Sequence, residues 1–136
     1  MRKRKGTKLS KTAASACVIY ARFSSHSQRE ESIEQQVAEC RAYAARRGWT
    51  VLDVYPDEAI SGTVEDRPQF QKMIADAEKG AFGHVITYKV DRFARDRLDS
   101  AIYKSRLRQM GITVDYARED MPDGPIGILI EGMLES

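Results

Sequence analysis

VIYARFSSHSQREESIEQQ, residues 18 to 36, changes its hydrophobic period partway along, and that change sets the fold. The run CVIYAR, 17 to 22, is short and apolar and reads as a first strand. A polar loop follows. Ser32-Ile-Glu-Gln35 then places Gln three residues after Ser, the capping-box pattern that opens a helix. Ile33, Val37, Cys40 and Ala44 continue at helical spacing, and Gly48 is placed to end the helix.

The alternation continues outward. TVLDVY, 50 to 55, reads as a second strand. Asp66 is placed to cap the next helix, with Pro68 in its first turn and Phe70, Met73, Ile74 and Ala77 on one face up to Gly80. HVITYKV, 84 to 90, reads as a third strand. A helix from about 96 to 110 carries Leu98, Ala101, Ile102, Leu107 and Met110 and stops at Gly111. ITVDY, 112 to 116, is a fourth strand. Strands alternating with helices predict a three-layer α/β fold: a mostly parallel sheet of four to five strands with helices on both faces. Ile126, Leu129, Ile130, Met133 and Leu134 then fall at i, i+3, i+4, i+7 and i+8 with no stop signal before Ser136. That amphipathic helix fits a fragment whose apolar face wants a partner.

A chain of 136 residues with 42% apolar and 31% charged residues suits one globular domain. The net charge of +2 is uneven. Residues 1 to 12 hold six Lys or Arg and no acid, and the remainder has 16 basic and 20 acidic residues, a net of −4. Residues 1 to 15 are therefore expected to be a basic, disordered leader, and the folded part is not a general polyanion binder. Any nucleic-acid contact must come from local arginine clusters, from the leader, or from chain beyond this one. The leader lacks the apolar segment of a secretory signal, and no apolar run is long enough to span a bilayer. Cys17 and Cys40 sit in apolar patterns without metal-ligand spacing and read as reduced core residues of a cytosolic protein.

In open parallel sheets, functional groups gather beyond the carboxyl ends of the strands. Side chains alternate along the first strand, so Tyr20, Arg22 and Ser24 share one direction, while Ala21 and Phe23 point toward the core. Parity thus selects Ser24 as the serine beside Arg22; on that segment alone, a solvated strand end is the simpler reading. The third strand leads into Asp91-Arg92-Phe-Ala-Arg95-Asp96-Arg97, three arginines within six residues. Arg92 and Arg95 lie on one face of a helical turn, and arginine's planar fork matches phosphate oxygens. With Arg22 from a neighbouring strand they make an anion site. Asp96 and Arg97 read as solvated ion pairs. After the second strand, Ser61-Gly62 is a turn signal, and Ser61 and Arg67 add phosphate contacts if that loop folds over the site.

A serine among arginines suits phosphoryl transfer, because the arginines stabilise charge on the equatorial oxygens. Metal chemistry fits less well: there is no D-x-D, H-x-H or CxxC, although Asp57 and Asp91 could share a divalent ion. His26 has no third group to orient it and reads as a loop residue. His84 reads as structural. The competing classes are a non-catalytic phosphate-ligand-binding α/β module, for which no G-x-G-x-x-G or P-loop is present, and a metal-dependent nuclease.

Y-A-R-F-S at 20 to 24, Gln28, I-S-G at 60 to 62, D-R-P-Q-F at 66 to 70 and D-R-F-A-R at 91 to 95 occur in one order and spacing. Together they resemble the N-terminal catalytic domain of serine recombinases, the resolvase/invertase family, over residues 17 to 134. S-I-E-Q-Q and G-W-T-V look more like the large serine recombinases, that is, phage integrases, transposon recombinases and cassette recombinases. The resemblance implies a resolvase-like fold and a catalytic domain over 16 to 136, truncated within its C-terminal oligomerisation helix. It implies that Ser24 attacks a DNA phosphodiester and becomes joined to the 5′ phosphate. Arg22, Arg92 and Arg95 match phosphate-binding arginines, Asp91 an acidic residue that orients or moves a proton, and Tyr20, Gln28, Ser61 and Arg67 supporting positions. It further implies no metal or nucleotide cofactor, a homodimer and homotetramer, a DNA target read mainly by a C-terminal region, and a bacterial or phage-encoded cytoplasmic, nucleoid-associated protein. The fragment alone is expected to lack strand exchange and cleavage.

Overall fold

A computed structural model describes residues 11–23, 31–58, 67–93 and 97–118, with residues 90, 91 and 97 described by backbone alone. The elements in chain order are α1 (Lys11–Ala14), β1 (Ala16–Arg22), α2 (Ile33–Arg47), β2 (Thr50–Asp57), α3 (Pro68–Ala77), β3 (His84–Thr87), α4 (Val90–Phe93), α5 (Arg97–Gln109) and β4 (Thr113–Tyr116). Among the described residues the sheet has four strands in the order β2-β1-β3-β4, all parallel. The chain steps from β1 outward to β2, then returns across β1 to β3. That reversal places a topological switch point between β1 and β3, where ligands of open α/β sheets bind.

β1 explains the three layers. Ala16, Val18 and Tyr20 pack with Phe70, Met73, Phe93 and Leu107 of α3, α4 and α5. Cys17 and Ile19 pack with Cys40 and Ala44 of α2 on the other face. Both faces of β1 are therefore core, and Tyr20 is fully buried rather than turned away from it. Phe70 anchors its layer edge-on to Tyr20, Phe93 and Tyr103, with ring centroids 5.2, 5.3 and 5.1 Å away.

α2 starts and stops as its sequence predicts. Ser32 is the N-cap and its hydroxyl accepts from the Gln35 N–H at 3.1 Å. Gly48 closes the helix at φ +77°, a left-handed conformation that costs glycine little. The fully buried stripe is Gln36, Cys40 and Ala44, shifted from the predicted line through Ile33 and Val37.

Three expectations are corrected. The predicted cap of α3, Asp66, lies outside the described residues; the cap position is Arg67, whose side chain makes no cap bond. The Asp57 carboxylate at the end of β2 takes the free N–H groups instead, Gln69 on Oδ1 and Phe70 on Oδ2, both at 3.0 Å. β3 ends at Thr87, not at residue 90, and the chain turns into α4, where Phe93 is fully buried against Phe70. Burying that ring decides the turn against a longer strand. Structure also begins inside the expected leader: residues 11–14 are helical, Ala13 is buried, and the Ser15 carbonyl accepts from Thr50 N. Residues 1–10 and the apolar pattern at 126–134 lie outside the described residues.

Cys17 and Cys40 are buried free thiols, as predicted. His84 is structural: it stacks on Trp49 at 3.5 Å, and its ring nitrogens lie 2.8 Å from Thr113 Oγ1 and 2.9 Å from the Ala14 carbonyl. No helix among the described residues is long and apolar enough to cross a membrane.

Candidate active site

Parallel register brings the strand ends together. Tyr20 pairs with Tyr55 on one side and Thr87 on the other. Arg22, Asp57 and Lys89 each lie two residues beyond those partners, so all three gather at one end of the sheet. α4 packs against β1 there and carries Asp91 and Arg92.

Two networks organise this end. The first is interior. The Tyr20 hydroxyl donates to Asp57 Oδ2 at 2.9 Å and accepts from Arg67 Nε at 2.9 Å. Arg67 is fully buried, donates through Nη2 to the Phe93 carbonyl, and lies 3.9 Å over the Phe70 ring. Its Nη1 has no hydrogen-bond partner among the described residues. The predicted supporting residues Tyr20 and Arg67 are thus packed beneath the strand ends. Here they clamp α3 and α4 to β1 and β2.

The second network joins β1, α2 and α4. Gln36 is fully buried; its Oε1 accepts from Arg22 N at 3.2 Å, and its Nε2 donates to the carbonyls of Arg22 and Glu31 at 3.0 and 2.9 Å. Glu31 Oε1 then accepts from Arg92 Nη2 at 3.1 Å, and Glu31 Oε2 lies 3.9 Å from Lys89 Nζ. Burial pushes the Glu31 carboxyl up, but its own backbone N–H, Lys89 and Arg92 outweigh it and hold it below the usual carboxylate range. Arg22 and Arg92 are both largely buried, at 6% and 8% exposure. Charged groups so withdrawn from water interact strongly with any anion that reaches them.

The structure therefore links the Arg22 backbone and the Arg92 side chain through Gln36 and Glu31 across the switch point. Asp91 lies in α4 by its backbone. Ser24, Gln28, Ser61 and Arg95 lie outside the described residues, as do Ser25, His26 and Ser27. Asp57, weighed as a metal ligand, is engaged by three donors that tie the fold together. Among the described residues no group of three His, Cys, Asp or Glu gathers as for a metal ion. Sequence reasoning missed Gln36 and Glu31. Gln36 had a signal, since it stands one turn before Cys40 and two before Ala44 on the buried stripe. Glu31 had none, because its partner Arg92 is 61 residues away.

The family model "Resolvase, N terminal domain" matches residues 17–136. The chain is 32% identical to the "Putative DNA recombinase" of Bacillus subtilis (strain 168) over 117 residues, 85% of this chain and 23% of that relative. It thus spans about a quarter of that protein's length. Among solved structures, it is similar to the N-terminal catalytic domain of TP901-1 integrase, with TM-score 0.72 and 30% identity over 88% of this chain and 90% of that one. It is also similar to the C-terminal catalytic domain of ISC1926 TnpA, an IS607-like serine recombinase, with TM-score 0.67 and 27% identity over 87% and 78% of the two chains.

Proposed function

This chain belongs to the resolvase N-terminal domain family, and on that premise we propose that it is the catalytic domain of a site-specific DNA recombinase with Ser24 as nucleophile. The Ser24 Oγ attacks a DNA phosphodiester, forming an Oγ–P bond. The P–O3′ bond breaks, the serine proton passes to the leaving 3′ oxygen, and the 5′ phosphate stays on the protein. Rejoining reverses these steps, so no nucleotide is consumed, and the reading needs no metal.

Arg22, Arg92 and Arg95 stabilise charge on the non-bridging oxygens as the bonds exchange. Fixed donors of this kind are worth ~10²- to 10³-fold each in rate. Asp91 orients these groups or moves the proton, and Gln28 and Ser61 support the phosphate. Tyr20 and Arg67 act as positioning residues that hold the arginine-bearing elements. The whole protein would act as a homodimer and homotetramer, on DNA sites read mainly by a C-terminal region, in a cytoplasmic, nucleoid-associated setting.

The observation that carries this reading is the pair Arg22 and Arg92. They are buried on either side of the β1/β3 switch point; Gln36 ties the Arg22 backbone to that of Glu31, whose carboxylate holds the Arg92 side chain. The test is incubation of the whole protein with its recombination-site duplex in EDTA. Covalent adducts are expected from the unaltered protein and from Ser25→Ala and His26→Ala, and none from Ser24→Ala. Adducts that survive Ser24→Ala, or that require a metal, overturn the proposal.

A further inference from the structure

The geometry points to an anion clasp formed by Lys89 and Arg92 that Glu31 occupies until a phosphate displaces it. The inference rests on the reading that strand-end cations of this domain hold a phosphate. It adds Lys89 to the residues that contact the phosphate and makes Glu31 an internal competitor for it.

Glu31 divides its two oxygens between the two cations, Oε1 to Arg92 Nη2 at 3.1 Å and Oε2 toward Lys89 Nζ at 3.9 Å. Two non-bridging phosphate oxygens would divide the same way. Lys89 also lies 5.5 Å over the Tyr88 ring, which steadies it beside Arg92. The carboxylate is built in place rather than swept across a surface. The Glu31 carbonyl is tied to Gln36 Nε2 at 2.9 Å, and the next residue, Ser32, caps α2. The Arg92 side chain is 9% exposed and that of Glu31 21%, so water and salt screen this pair less than an open surface pair.

Glu31 spans two cations, so an anion that takes its place meets both. An incoming phosphate oxygen cannot reach Arg92 Nη2 beside the carboxylate without like-charge repulsion, so it must displace it. A closed clasp therefore weakens binding of stray phosphates and yields to a substrate anchored elsewhere along its DNA.

The probe is inorganic phosphate, titrated into the full chain and read by calorimetry, with circular dichroism establishing the fold of each variant. Glu31→Gln removes the competing charge and keeps the shape; it should bind phosphate about fivefold more tightly, the upper range for a pair of this exposure. Lys89→Gln should bind more weakly than the unaltered chain, and Glu31→Gln with Lys89→Gln should lose most of the gain. Glu34→Gln, an exposed acid in the first turn of α2, should change nothing. If Glu31→Gln fails to fold, Glu31→Asp, one methylene short of spanning both cations, must show the gain. Equal or weaker binding by the folded Glu31 variant overturns the inference, because Glu31 then holds Arg92 in place instead of competing with phosphate. Absence of phosphate binding in every variant overturns it as well. Neither result depends on DNA cleavage, so failure of the Ser24 assignment is read separately.

Discussion

The Tyr20 hydroxyl donates to Asp57 Oδ2 at 2.9 Å, in the interior, and joins the carboxyl ends of β1 and β2. It also accepts from Arg67 Nε. Burial pushes this hydroxyl far above the ordinary tyrosine range; Arg67 opposes that and Asp57 adds to it, so the group stays a neutral donor. Tyr20→Phe strands the Arg67 Nε and one Asp57 lone pair. Hydrogen bonds to charged groups contribute ~1.5–3 kcal/mol, so urea unfolding should show a loss of about 2 kcal/mol with an unchanged slope. A loss under about 0.5 kcal/mol would show that the hydroxyl is not a structural link.

Asp57 also carries the first turn of α3, through Gln69 and Phe70. Asp57→Ala leaves those two N–H groups and the Tyr20 hydroxyl without their acceptor. The expected cost is about 3 kcal/mol in the same urea experiment. Asp57→Asn retains an acceptor oxygen and should lose less than Asp57→Ala. Equal losses for the two would contradict the capping role.

Ser32 begins α2 as its N-cap. Ser32→Ala removes the bond to the Gln35 N–H and should cost ~1 kcal/mol, the usual value of a lost cap. Adduct formation by the whole protein should be unchanged below its melting temperature. Loss of adducts at full folding would place Ser32 in the reaction.

Alkali should unfold the chain. Burial first, then Asp115, pushes the Cys17 thiol up to about 11, against the nearby Arg41. Burial, with Cys17 and Glu39, pushes Cys40 up to about 12. Burial and the bond to Asp115 raise the Tyr43 hydroxyl to about 12, against Arg47 and Arg46. The folded state holds these protons more tightly than the unfolded chain, so stability is full below pH about 9 and falls as pH rises toward 12. Urea midpoints measured from pH 8 to 11 check the sign. Rising stability over that range would contradict it. At pH 8 both thiols should react with Ellman's reagent only after denaturation.

Local pattern made much of the fold legible. The Ser32 cap, the Gly48 stop and the strand–helix alternation depend on neighbours within a few residues, and the structure contains them as read. The parity of β1 was legible too, yet it could not say that both its faces are covered. What stayed hidden is non-local. Asp57 caps a helix 12 residues later, Arg67 reaches Tyr20 across 47 residues, and Arg92 meets Glu31 across 61. β3 looked longer than it is, because the apolar spacing of Tyr88 and Val90 suits a strand, while burial of Phe93 turns the chain into α4. Of the candidate site, Arg22 and Arg92 were legible as strand-end cations, but the glutamine that holds the Arg22 backbone and the glutamate that holds Arg92 were not.

The central claim is that Ser24 carries the DNA phosphate. The direct measurement is to trap adducts in EDTA, digest the DNA with nuclease and the protein with protease, and sequence the modified peptide by tandem mass spectrometry. The account predicts a 5′-phosphonucleotide on Ser24. The same nucleotide on Ser25, His26 or Ser27 would contradict it.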